Sequence, residues 1–154
     1  MDPQTTIGQQ QISKANLLVS LQFIFIGLLL FTVIPIHFSF LAMLFILLSV
    51  LLAFWAIITM QKSKLRISPI PSARATLITD GPYKYIRHPM YASILLASFG
   101  LLILNFSWVR LCFACALAFV LIVKLEWEEK MLSNKFINYP EYKKRTKRLL
   151  PLVY

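Results

Sequence analysis

The feature that most constrains this chain is the apolar run from Leu17 to Ile36. At a helical rise of about 1.5 Å per residue, a run of this length crosses a hydrocarbon core of about 30 Å. A second apolar stretch follows from Phe40 to about Met60, separated from the first only by a turn containing Pro35, His37 and Ser39, which predicts a helical hairpin. His37 reads as a solvated turn residue. A third stretch, from Pro89 to about Leu104, is short for a span, with Pro89 suited to the first turn of a helix and neighbouring protein shielding the ends. The fourth, Trp108 to Val123, runs without a breaker into Lys124-Leu125-Glu126-Trp127-Glu128-Glu129-Lys130, so one helix is expected to leave the bilayer unbroken.

Composition agrees with a bilayer. Of 154 residues, 58% are hydrophobic and only 14% charged, and the mean hydropathy is +0.71. The expected fold is all-α: one integral membrane helical bundle with about four transmembrane helices. It divides into a polar N-terminal segment (1–16), a transmembrane hairpin (17–60), and a core (61–154) with two further spans and an interfacial tail. Residues 1–16, with Pro3, Gly8 and three consecutive glutamines, are expected to be loose or interfacial. A cleavable signal peptide is not expected, because the first apolar run is long and follows this polar start.

The net charge of +10 raises the question of nucleic acid. The basic residues flank the apolar runs, however, where they orient the helices and meet anionic lipid headgroups, so membrane lipids and no nucleic acid are the expected partners. Fifteen of the sixteen Lys and Arg fall in the N-terminus, the 61–88 loop and the segment from Lys124 onward; only Arg110 falls in a turn on the other side. The asymmetry predicts that both termini and the loop are cytoplasmic. Within that loop Pro69 and Pro71 predict an extended, irregular connection at the membrane surface. Cys112 and Cys115 form a C-x-x-C inside an apolar run with no second ligand pair, and read as small hydrophobes rather than a metal site. The sequon at Asn105-Phe106-Ser107 is expected to be silent in so short a turn.

Two polar clusters share the predicted cytoplasmic side: Gly81-Pro82-Tyr83-Lys84-Tyr85-Ile86-Arg87-His88-Pro89-Met90-Tyr91, and the acids Glu126, Glu128 and Glu129. Adjacent carboxylates at a helix C-terminus oppose both each other and the helix dipole, so a compensating cation is expected, from Arg87, Lys124 or a ligand. By residue type alone, the plainer reading is a solvated helix face in which Glu128 and Glu129 sit among Lys124 and Lys130, and headgroup anchoring by Arg87-His88.

The motifs Arg66-Ile67-Ser68-Pro69-Ile70-Pro71, Leu77-Ile78-Thr79-Asp80-Gly81-Pro82-Tyr83, Arg87-His88-Pro89-Met90-Tyr91 and Glu128-Glu129-Lys130-Met131-Leu132 resemble, in order and spacing, the signature of isoprenylcysteine carboxyl methyltransferases and related phospholipid methyltransferases. The tail Tyr139-Pro140-Glu141-Tyr142, followed by Thr146-Lys147-Arg148-Leu149-Leu150-Pro151, is similar to that family's ending. The resemblance implies S-adenosyl-L-methionine as cofactor, held at the cytoplasmic surface by the 61–88 loop and the tail. It implies cofactor contacts at Thr76, Leu77, Ile78, Tyr83, His88, Pro89, Met90, Tyr91 and Glu128, with Arg87 and Glu129 as catalytic candidates. Lys124, where the family carries arginine, would face the substrate. The implied acceptor is a lipophilic small molecule or lipid-modified group presenting a carboxylate or an amine. No G-x-G loop exists among Gly8, Gly27, Gly81 and Gly100, which disfavours a Rossmann-type enzyme. An NADPH-dependent membrane reductase of the sterol reductase type and a non-catalytic basic scaffold are the competing readings.

Overall fold

A computed structural model describes residues 3–34, 38–61 and 76–150, with side chains from residue 9 onward. Pro35, His37, the Arg66–Pro71 motif and Pro151 lie outside the described residues. Among the described residues, five helices follow one another: α1 (Pro3–Thr32), α2 (Phe40–Gln61), α3 (Pro89–Leu104), α4 (Trp108–Lys135) and α5 (Tyr139–Arg145), with one 3-10 turn at Gly81–Lys84 before α3. Three of them are long and apolar enough to cross a membrane, and α3 is a shorter apolar helix. The chain is an all-helical integral membrane bundle.

The helices pack as two antiparallel pairs. In the first, Lys14 lies over the Trp127 ring, Gln22 meets Lys124, and Arg110 donates to the carbonyl of Thr32, which aligns α1 against α4 from end to end. In the second, the chain returns so that Gly81 sits beside Thr59 near the end of α2 and Gly100 beside Ala42 and Ile46 near its start. A Cβ on Gly100 would stand 2.9 Å from Ile46 Cγ1 and 3.2 Å from the Ala42 carbonyl, so the two backbones approach as closely as glycine permits. Small buried residues on α2, Ala42, Ser49 and Ala56, recur every seventh position and form the facing stripe. Ser49, Thr59, Ser93 and Ser98 return their hydroxyls to carbonyls of their own helices, as a bilayer requires. Phe23, Phe31, Phe54 and Phe119 stay on the outer surface, where lipid covers them.

Where α3 meets α4, the two pairs share a core of Leu29, Tyr91, Ala114, Leu117, Leu121 and Leu125, sealed by Leu149 from the tail.

Two segments carry more structure than their sequence announces. Residues 3–16 form the first turns of α1, with Ala15 buried. Extending an existing helix needs no new nucleus, and packing against α4 adds to it. The tail also packs inward, with Tyr139 and Tyr142 of α5 buried against the end of α4 and the turn before α3.

Candidate functional site

The turn before α3 is built around Gly81, whose φ of +56° lies in the left-handed region that favours glycine. A Cβ there would also stand 2.6 Å from Thr59 Oγ1. Pro82 follows, and the 3-10 turn delivers Tyr85 to His88 alongside the C-terminal tail. Arg87 N–H donates to Lys147 O at 2.8 Å, His88 N–H to Arg148 O at 3.1 Å, and Lys147 N–H to Tyr85 O at 3.1 Å, a short parallel bridge centred on Ile86 and Lys147.

Arg87 is buried and engaged through Nε and Nη1. Its Nε donates to Glu129 Oε1 at 2.6 Å, and its Nη1 donates to Thr146 O at 2.5 Å and Lys143 O at 3.1 Å. Glu129 is therefore held by three cations: Arg87, Lys143 (Nζ at 3.1 Å) and Arg148 (Nε at 3.6 Å). At 3% exposure Glu129 is no solvated helix-face residue, and that plainer reading falls. The compensating cation demanded by the paired acids is Arg87.

Glu128 points the other way. It accepts a hydrogen bond from the Tyr91 hydroxyl, and its second oxygen lies 3.7 Å from His88 Nδ1. His88 Nε2 faces Glu129 Oε1 at 3.6 Å, so one imidazole stands between the two carboxylates. The His88 and Tyr91 rings stack, with centroids 5.4 Å apart and planes 2° from parallel. Tyr91 is in turn capped on one face by the Lys124 ammonium, 5.0 Å from its centroid.

Burial, with the nearby Glu128 charge adding to it, pushes the Tyr83 phenol up to about 12. Burial likewise raises Tyr139, where the Glu129 charge adds to the effect, and Tyr142. Tyr142 Oη donates to Tyr83 O at 2.7 Å, which ties the tail to the turn.

Of the residues singled out from sequence, Arg87, His88, Tyr91, Lys124, Glu128 and Glu129 thus form one cluster, with Tyr83 beside it. Pro89 is buried at the first position of α3, and Met90 packs into the apolar core. Thr76 is exposed, Leu77 half-buried and Ile78 buried in the irregular stretch before the turn. Lys124 is 2% exposed and donates to Gln22 Oε1 at 2.8 Å. Gln22 was missed, and so were Thr146 and the Lys143 carbonyl. A lone glutamine inside an apolar run was the available signal for Gln22. The two tail carbonyls carry no side-chain signature.

An open polar cleft adjoins the cluster, floored by Glu129 and walled by Glu126, Lys130, Ser133 and Asn134 of α4 with Lys143 and Arg148 of the tail. Among the described residues, His88 Nε2 and Tyr139 Oη are buried polar atoms with no hydrogen-bond partner, both at this junction.

Known proteins show the same segment. The family model for phospholipid methyltransferases matches residues 37–138, which takes in α2, α3, α4 and Tyr83, Arg87, His88, Tyr91, Lys124, Glu128 and Glu129 of the cluster, and leaves out Gln22 and the tail residues Lys143, Thr146 and Arg148. The cobalt-zinc-cadmium resistance protein CzcN of Cupriavidus metallidurans is 36% identical over 78 residues, covering 49% of this chain and 36% of that protein. The chain therefore spans little more than a third of that relative's length. With two thirds of its length matched, and with the paired carboxylates and R-H-P-x-Y turn brought into one cluster, this integral membrane protein belongs to the phospholipid methyltransferase family, part of the isoprenylcysteine carboxyl methyltransferase-like superfamily of membrane methyltransferases.

Proposed function

We propose that the protein transfers a methyl group from S-adenosyl-L-methionine to a lipophilic, membrane-embedded acceptor at the cytoplasmic face of the bilayer. The observation that carries this reading is the convergence of Tyr91 and His88 onto the Glu128 carboxylate beside unpartnered buried polar atoms. A buried carboxylate, an imidazole with a free ring nitrogen and stacked aromatic rings are the groups that suit an ammonium, a carboxylate and a sulfonium on one ligand. The residues present therefore fit the cofactor.

In this reading Glu128 pairs with the cofactor's amino group, and His88 holds its carboxylate. Tyr83 and Tyr91 offer ring faces, and Thr76, Leu77, Ile78, Pro89 and Met90 line the approach. Bound there, the cofactor supplies an activated methyl group, so the protein has chiefly to align and to exclude water. Arg87 acts by holding: its donors lock the tail onto Glu129 and so close the site on the cytoplasmic side. Lys124 serves the acceptor side of the cluster. A carboxylate acceptor needs no base, whereas an amine must give up a proton, for which Glu129 and His88 are the candidates. The basic residues outside the spans support an orientation with both termini in the cytoplasm.

Isothermal titration of the full chain in lipid nanodiscs with S-adenosylhomocysteine tests this directly. Saturable binding is expected, and its loss in Glu128→Gln. A chain that binds NADPH and not S-adenosylhomocysteine would overturn the proposal in favour of a reductase.

A further inference from the structure

α1 lies outside the segment matched by the family model, yet it reaches the cluster at one point. Gln22 is 7% exposed in the middle of an apolar helix. Burying an amide at that depth is costly unless it is hydrogen-bonded, and its Oε1 accepts from Lys124 Nζ at 2.8 Å. Lys124 in turn is 2% exposed and has no carboxylate within ion-pair distance among the described residues. A buried ammonium so placed needs its direction set by its neighbours. Here the neighbours are the Gln22 oxygen and the Tyr91 ring face, 5.0 Å from the nitrogen. The Tyr91 hydroxyl ends on Glu128, and the Tyr91 ring stacks on His88.

We infer that Gln22 is a positioning residue for the cofactor-facing carboxylate, acting through Lys124 and Tyr91 on Glu128. The inference rests on the proposed role of Glu128. With the Gln22 oxygen removed, the ammonium has no remaining hydrogen-bond acceptor among the described residues and swings toward the negative charge of Glu128. It then leaves the Tyr91 face and competes with the Tyr91 hydroxyl for the carboxylate.

Two measurements on the full chain in nanodiscs test this. The first uses tyrosine labelled at Cζ and followed by NMR, the Tyr91 resonance being assigned by its loss in Tyr91→Phe. Gln22→Leu is expected to shift that resonance, and Gln22→Glu, which restores an oxygen acceptor, to return it toward its original position. The second is S-adenosylhomocysteine binding, which Gln22→Leu should weaken by about threefold to tenfold. Gln22→Glu should recover to within about twofold of the wild-type value. In a Lys124→Met background, Gln22→Leu should cause no further loss, because its route to Glu128 is already cut. The lipid-facing Phe23→Leu serves as a control that changes neither reading.

An unmoved Tyr91 resonance in Gln22→Leu overturns the inference, and so does a binding loss that persists undiminished in the Lys124→Met background. Absence of S-adenosylhomocysteine binding in the wild-type chain sinks the proposed function instead. The NMR experiment needs no cofactor and decides the role of Gln22 on its own.

Discussion

Arg87 and Glu129, 42 positions apart, meet at 2.6 Å in the interior of the protein, and the same guanidinium donates to two carbonyls of the tail. One side chain thereby joins the start of α3, the end of α4 and the segment after α5. Arg87→Met would leave Glu129 buried with the more distant Arg148 and His88 and the half-exposed Lys143 for company. The loss is expected to be about 3 kcal/mol, as for a buried pair deprived of one partner. A lowered melting temperature in nanodiscs and faster tryptic cleavage after Lys147 would show it. Arg87→Lys should rescue little, since one ammonium cannot reach Glu129 and both carbonyls.

Glu128 and Tyr91 make separable predictions. Glu128→Gln keeps an oxygen for the Tyr91 hydroxyl but removes the charge that would pair with a ligand ammonium, so S-adenosylhomocysteine binding should weaken by about tenfold or more. Tyr91→Phe leaves the charge and should cost about threefold. Binding titrations of the two variants rank them, and a larger loss in Tyr91→Phe would contradict the assigned roles.

Gly81 is constrained twice, by its positive φ and by Thr59. Gly81→Ala should destabilise the protein by about 1–3 kcal/mol. Adding Thr59→Ala removes the side chain that the new Cβ meets and should restore part of that loss, leaving the backbone strain. Thermal unfolding of the single and double variants separates the two contributions, and the nearby Trp55 ring, 3.2 Å from the same Cβ position, gives a fluorescence signal for the local shift.

The bundle was legible because bilayer spans write themselves in runs. α2 starts at Phe40, α3 occupies Pro89 to Leu104, and α4 carries its charged end onward, all as the hydropathy pattern implies. The cluster was legible because charges are rare in this chain and two groups of them share one side. What escaped was the part made by backbone or by a partner helix. The bridge between Ile86 and Lys147 has no periodicity to betray it. Arg87 finds the carbonyls of Lys143 and Thr146, groups that every residue owns. Gln22 says little by itself, because its meaning depends on Lys124 arriving from α4. The length of α1 was missed for a related reason: the residues before Leu17 lack an apolar stripe, and their helix is continued from a hydrophobic segment rather than begun by their own pattern.

The tyrosines of the turn and tail predict how the protein responds to alkali. Tyr83 ionises at about 12 in the folded chain against 10.0 ordinarily, and Tyr139 and Tyr142 are raised in the same direction. Folding therefore favours the neutral phenols. For an acid whose pKa is raised in the folded state, the associated stability is fully present below the unfolded value of 10.0, and it declines as pH climbs from there toward the folded value. The melting temperature should hold up to about pH 10 and fall steadily above it. Tyr83→Phe and Tyr142→Phe should each flatten that decline, because a group that cannot ionise contributes no alkaline slope. Tyr142→Phe should also lower stability at neutral pH by about 1 kcal/mol, since its hydroxyl donates to Tyr83 O whereas the Tyr83 hydroxyl makes only a long contact, 3.6 Å, to Met60 Sδ. Melting curves across the alkaline range, read alongside phenolate absorbance, check both effects; an unchanged slope in the two variants would place the alkaline sensitivity elsewhere.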